Sequence, residues 1–254
     1  MEIVQRTNVG KVRDHNEDSI GLFKLSDGMV LAVVADGLGG HDAGEVASSE
    51  AVKIFEKESK KLTQDLSARE RGDFLSLIIG KANEKVYKLA QAKMKQGNNK
   101  NGMGTTVVAA VVDSEGIVVA HVGDSRAYLF HDNGLYQMTE DHTFVNVLIK
   151  NGQISEEEAY HHPKRNVLTR AVGTAEEVDV DISDNPWNQD DIILLCSDGL
   201  TSMIDDREIG LVLSSTSTTL EEKADRLIEL ALDAGGTDNI SLILLQNKNR
   251  SAKF

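Results

Sequence analysis

Three apolar runs in this sequence halt at an aspartate: "MVLAVVAD" at Asp36, the first half of "GIVVAHVGDSRAYLF" at Asp124, and "DIILLCSD" at Asp198. A fourth, "NISLILLQ", begins directly after Asp238. Together with "TTVVAAVVD", these segments are short, rich in β-branched residues and bounded by turn signals, so each predicts a strand, "GIVVAHVGDSRAYLF" as a whole among them. Runs that follow one another without an intervening helix, as from Thr105 to Phe130, predict antiparallel pairing. Three other stretches carry helical spacing. One puts Ala47, Ala51, Ile54, Phe55 and Leu62 on one face. A second runs through Leu75, Ile78, Ile79, Ala82, Val86, Leu89 and Ala90 behind a capping box of Ser67 and Glu70. The third opens at Thr219 with Glu222 and stops at Gly235-Gly236. The predicted class is α+β, with helices segregated outside the sheets. From Glu140 to Asn188 the pattern weakens into short helical pieces such as "SEEEAYHHPKR", which predicts a flap over about 143–188.

With two prolines in 254 residues and no low-complexity linker, one domain over 1–246 is expected, followed by a short polar tail, 247–254. The net charge of -14 disfavours nucleic acid and anionic membrane as partners. The N-terminus lacks the pattern of a secretory signal and no run of about 18 apolar residues follows, so a cytoplasmic monomer is expected. The lone Cys196 excludes an internal disulfide and a multi-cysteine zinc cage. A cysteine nucleophile acting on phosphate would want an arginine after a short loop, and Ser202 stands six residues on.

Any one "DG", at 36–37 or 198–199, serves as a tight turn. Four strand-end aspartates, with Asn16, Glu17 and Asp18 in "NED", make coincidence less persuasive. Two unit charges about 4 Å apart repel by roughly 4 kcal/mol at an effective dielectric of 20, so convergent acids imply bound cations. All-oxygen ligands favour Mg²⁺ or Mn²⁺ over zinc, and two such ions sharing a carboxylate can acidify a water into a nucleophile. Arg13 is either a structural ion pair or a bidentate phosphate ligand. His41 is either a polar loop residue or a general acid. The glycine bend is no P-loop, since it lacks Gly-Lys-Ser/Thr, and Asp42 breaks a dinucleotide fingerprint.

Taken in order, "GKVRDHNED", "VVADGLGGHDAGEVAS", "GTTVVAAVV", "VGDSRAYLF", "LTRAVG", "LLCSDGL" and "GGTDNISLILL" resemble the motifs of metal-dependent serine/threonine protein phosphatases of type 2C. The resemblance implies a four-layer αββα sandwich, two antiparallel sheets between helix pairs, with a flap near the active site. It implies Asp36 bridging two Mn²⁺ or Mg²⁺ ions, completed by the Gly37 carbonyl, Asp198 and Asp238, with Glu17 and Asp18 acting through waters. Asp124 with Asp198 is implied as the site of a third ion, where some members carry a further aspartate and this chain has Ser202. Arg13 would hold phosphate, His41 would be the general acid, and His15 replaces a common asparagine or glutamine. His161, His162, Lys164 and Arg165 on the flap are either substrate contacts or exposed residues that touch nothing.

The implied reaction is hydrolysis of phosphoserine and phosphothreonine on proteins by an activated water, opposing a bacterial serine/threonine kinase. Two rivals stay open at this point. One is a regulatory phosphatase for a phosphorylated anti-sigma antagonist; the other is a binding module that keeps the fold without turnover.

Overall fold

The structure is a computed structural model that describes residues 1–25, 28–39, 43–95, 102–113 and 116–248. One sheet has the order β1 (Glu2–Asn8), β11 (Ile240–Gln246), β10 (Ile192–Cys196), β7 (Arg126–His131), β8 (Gly134–Gln137). The other has the order β2 (Asp18–Lys24), β3 (Val30–Gly39), β5 (Val107–Val112), β6 (Ile117–Val122), β9 (Asp181–Asn185), and β4 (Met103–Thr105) adds to the end of β3. Every pairing is antiparallel.

The sheets stack face to face because their interior strands are apolar on both sides. Val30, Ala32, Val34, Val108, Ala110 and Val119 meet Ala127, Leu129, Ile193, Leu195, Ile243 and Leu245 between the sheets. The alternate residues Leu31, Val33, Ala109 and Val111 turn outward onto α1 (Ala43–Ser59) and α2 (Ala68–Lys95), meeting Ala51, Phe55, Ile78 and Ala82. On the opposite outer face, Tyr128, Leu194, Leu242 and Leu244 pack on α6 (Asp206–Ser214) and α7 (Leu220–Asp233) through Ile209, Leu213, Ala224 and Leu227. Helices thus cover both outer faces, as the expected sandwich requires. Cys196 is fully buried and burial pushes its thiol up to about 12, which makes it a packing residue.

The two capping boxes form. Ser67 and Glu70 bond reciprocally at the head of α2, and Thr219 and Glu222 do so at α7. Thr219→Ala is expected to cost about 1 kcal/mol, read as a lower urea midpoint at unchanged slope.

Two expectations need correction. "GIVVAHVGDSRAYLF" is two strands: β6 lies in one sheet and β7 in the other, and the chain crosses at Gly123-Asp124-Ser125. Gly123 has φ +109°, and a Cβ there would sit 2.6 Å from Thr106 Cγ2, so the crossing needs glycine. The 143–188 stretch also divides. α3 (Phe144–Lys150) and α4 (Glu156–Tyr160) form an excursion whose ends meet at a Thr143–Leu168 bridge, whereas Asp181–Asn185 pairs with β6 as a sheet edge.

Candidate metal centre

The strand ends bring six carboxylates to one rim of the sandwich. Asp18 lies opposite Asp36 in the β2–β3 register, and Glu17 precedes it. Asp198 opens α5 (Asp198–Thr201) just after β10, Asp238 stands just before β11, and Asp124 lies at the crossing between sheets. Three of them, Asp36, Asp18 and Glu17, are fixed by neighbours that the sequence reading did not single out. The Asp36 amide donates to Thr106 Oγ1 at 3.0 Å, and its carbonyl accepts from the Thr106 amide and the Thr105 hydroxyl. Ser197 donates its hydroxyl to Asp18 Oδ2 at 2.7 Å and accepts from the Ser241 amide. Asn239 receives the Glu17 amide on Oδ1 and donates Nδ2 to the carbonyls of Val9 and His15, tying the loop that bears Arg13 to the start of β11. These partners lie inside or beside the quoted motifs, "GTTVV", "CSDG" and "TDN". That adjacency was the available signal.

Close backbone approach sets the rest. A Cβ on Gly37 would stand 2.3 Å from the Gly44 carbonyl oxygen, and one on Gly199 would stand 1.9 Å from that of Asn239. Glycine at both positions lets α1 and α5 press against the rim.

The electrostatics follow from crowding like charges. Asp36 is raised well above the ordinary carboxyl range by burial first, then by the charges of Asp18, Asp198 and Asp124, and it shares a side-chain hydrogen bond with Asp198. Burial and neighbouring acids also push Asp18 up to about 7 and Asp124 to about 8. Asp198 rises for the same reasons, with Asp238 the main neighbouring charge, and burial raises Glu17. Asp18 Oδ1 is buried without a hydrogen-bond partner among the described residues. An unsatisfied buried carboxylate oxygen inside an all-oxygen acidic set fits a hard divalent cation. Arg13 Nη2 donates to Asp238 Oδ2 at 2.6 Å, and half of its side chain stays exposed at the mouth.

Beside the centre opens a cleft of about 830 Å³. Its lining includes Asp124, Asp198, Asp238 and Ser202, and the excursion contributes Tyr160, His161 and Arg165. Of the four flap residues singled out, His161 and Arg165 reach it. His162 and Lys164 instead pack on the Phe144 ring, the Lys164 Nζ 5.3 Å from its centroid. His41 lies outside the described residues. A second group, His121, His142 and Asp181, has ligand-type atoms within 4.8 Å of one another and escaped the sequence reading.

The family model for protein phosphatase 2C matches residues 10–233. The chain belongs to the protein phosphatase 2C family. It is therefore a metal-dependent protein phosphatase. Among similar proteins, a serine/threonine phosphatase of Listeria monocytogenes is 43% identical over 241 residues, covering 95% of this chain and 94% of its own. Protein phosphatase PhpP of Streptococcus pneumoniae is 35% identical over the full length of both chains. Among solved structures, a serine/threonine phosphatase of Staphylococcus aureus superposes with a TM-score of 0.89 at 37% identity, covering 98% of this chain and 95% of the other. One from Mycobacterium tuberculosis gives 0.84 at 33%, covering 98% and 99%. No helix among the described residues of this 2C phosphatase is long and apolar enough to cross a membrane.

Proposed function

We propose that this phosphatase hydrolyses phosphoserine and phosphothreonine in proteins at two Mn²⁺ or Mg²⁺ ions. Asp36 would be the carboxylate common to both ions, the Gly37 carbonyl, Asp198 and Asp238 would hold them with it, and Glu17 and Asp18 would support them through waters. The observation that carries this is the six-acid rim with its unpartnered Asp18 Oδ1, a charge pattern that calls for cations. When bound, such ions supply Lewis acidity that activates water and neutralises phosphoryl oxygens. Asp124 and Asp198 would hold a third ion, without the extra carboxylate that Ser202 replaces.

The chain's own residues do the remaining work. Arg13 pairs with Asp238 and stays half exposed beside the acids, and its guanidinium orients the phosphate. His41, five residues past Asp36, delivers a proton to the leaving serine or threonine oxygen. Uncatalysed phosphate-monoester hydrolysis is so slow that accelerations up to ~10²¹ are on record, which accounts for so much preorganised charge. We assign the phosphatase to the cytoplasm, as a monomer opposing a serine/threonine kinase and acting on its phosphorylated products.

The test is phosphate release from a phosphothreonine peptide. Activity is expected to need Mn²⁺ and to vanish on chelation; activity that survives chelation rejects the reading. Failure to bind Mn²⁺ favours a non-catalytic binding module instead. Arg13→Ala is expected to lower kcat/KM about 10- to 100-fold, mostly through KM, the loss of a hydrogen bond to a charged group worth ~1.5–3 kcal/mol. An unchanged KM would remove Arg13 from the phosphate.

A further inference from the structure

His142 is a buried histidine with every polar group engaged, and each partner belongs to a different part of the machinery. Its backbone amide donates to the Gly123 carbonyl at 3.0 Å. Its Nδ1 accepts the Gly123 amide at 3.0 Å, so both backbone groups of the residue before Asp124 are held by one side chain and its own main chain. The His142 carbonyl accepts from the Thr169 amide at 2.8 Å. With Nδ1 accepting, Nε2 carries the proton and donates to Asp181 Oδ2 at 3.1 Å.

Asp181, on edge strand β9, then receives Arg170 on both oxygens, at 2.7 and 3.3 Å. His142 is the residue from which the 143–168 excursion departs, and Thr169 and Arg170 are where it returns. One carboxylate therefore grips both roots of the excursion. The imidazole of His121 stacks on that of His142 at 4.6 Å and anchors to the Glu140 carbonyl, closing the other side.

The same atoms have the proximity of a cation site, but their hydrogen bonding argues otherwise. The Nδ1 lone pair is spent on Gly123, Nε2 is protonated, and the Arg170 guanidinium covers Asp181. A cation would have to displace a guanidinium already in place.

We propose that His142 is a positioning residue: it fixes the Gly123 peptide that presents Asp124, and through Asp181 and Arg170 it locks both roots of the 143–168 excursion. One imidazole thereby serves both the presentation of Asp124 and the seating of the excursion beside the cleft, through its two nitrogens. The metal half of this rests on Asp124 being a ligand, as proposed above.

Two substitutions separate the two jobs of the ring. In His142→Asn the side-chain oxygen takes the place of Nδ1 and keeps Gly123, but is too short for Asp181. In His142→Gln the amide reaches Asp181 and leaves the Gly123 amide buried and unpaired. Calorimetric Mn²⁺ titration of the whole protein is expected to show the Asp124-dependent site weakened about 10- to 100-fold in His142→Gln and within about threefold of the parent in His142→Asn. Amide hydrogen exchange over 144–168 is expected to show the reverse, about tenfold faster in His142→Asn and near the parent in His142→Gln. Asp181→Ala, at a sheet edge, is expected to reproduce the exchange effect with Mn²⁺ binding intact.

Identical behaviour of the two His142 variants in both measurements overturns the proposal, since a merely structural histidine predicts it. Zn²⁺ binding by the parent that Asp181→Ala abolishes overturns it in favour of an ion site. Asp124→Asn, titrated in parallel, isolates the underlying reading. If it binds Mn²⁺ as the parent does, Asp124 is no ligand and the metal half falls, while exchange in His142→Asn decides the lock on the roots independently.

Discussion

Asp36→Asn lowers kcat on a phosphothreonine peptide by about a thousandfold or more, and at neutral pH it makes the metal-free protein more stable than the parent. The first effect follows from removing the carboxylate proposed to hold both ions, on which the charge stabilisation of phosphoryl transfer depends. The second follows from crowding. Asp36 is enclosed beside Asp18, Asp198 and Asp124, and without cations burial and crowding raise it well above the 3.8 of an ordinary aspartate, so its ionised form opposes folding. Asparagine carries no such charge, a gain of about 1–3 kcal/mol, or roughly 2–4 °C per kcal/mol for a chain of this size. Steady-state kinetics, Mn²⁺ calorimetry and melting curves in chelator read the three consequences. Near-parental turnover, or lost turnover with parental Mn²⁺ affinity, would remove Asp36 from the bridging role.

The metal-free parent should also lose stability as pH rises, opposite to the usual behaviour of acidic groups in ion pairs. Asp18 titrates near 7 and Asp124 near 8 in the folded state, against 3.8 for an ordinary aspartate. Between those limits the folded chain holds more protons than the unfolded one, so unfolding free energy falls with each unit of pH. The stabilisation is fully present below about 4 and gone above about 8. A drop of about 2–4 kcal/mol between pH 5.5 and 8 allows for the open mouth of the site. His131, raised by its hydrogen bond to Asp191, acts in the same direction, so the slope must persist in His131→Asn. Saturating Mn²⁺, at about 100 times its dissociation constant, adds roughly 2.7 kcal/mol and flattens the slope, because cations replace the protons. A metal-free midpoint that is flat or rising from pH 6 to 8 would mean that the acids are not mutually repelling.

Interior strands were legible in the sequence and edge strands were not. β3, β5, β6, β7, β10 and β11 are buried on both faces, and each is a continuous apolar run. The four sheet edges, β1, β2, β8 and β9, went unread. "EIVQRTN" and "DISDN" pair along one side only and alternate in exposure, so neither shows an apolar run long enough to register. Asp36, Asp124, Asp198 and Asp238 were legible because each adjoins the apolar run of an interior strand, whereas Glu17 and Asp18 flank edge strand β2 and stood out only as part of "NED". Their supports were not legible: Thr106, Ser197, Asn239 and His142 are polar residues of ordinary type whose partners lie far away in the chain, as with Asn239 and Glu17, 222 positions apart. The sheet change inside "VGDSR" was hidden because a glycine followed by a polar pair looks the same in a tight turn and in a crossing between layers.

Glu17, Asp18 and Asp36 belong to one sheet and Asp198 and Asp238 to the other, so the acidic rim is a seam between two independent layers. The spacing of its oxygens is set by the thickness of the filling between those layers, where Ala32, Ala110 and Ala127 stand among valines, leucines and isoleucines. Those small side chains act as shims. Substituting a larger residue for any of them, well away from the rim, changes the gap across which the carboxylates face one another. A Mg²⁺ shell at 2.0–2.1 Å tolerates such a change less than a larger, more adaptable ion does. Substitutions at these alanines are therefore expected to shift the preference between Mg²⁺ and Mn²⁺ without touching a proposed ligand.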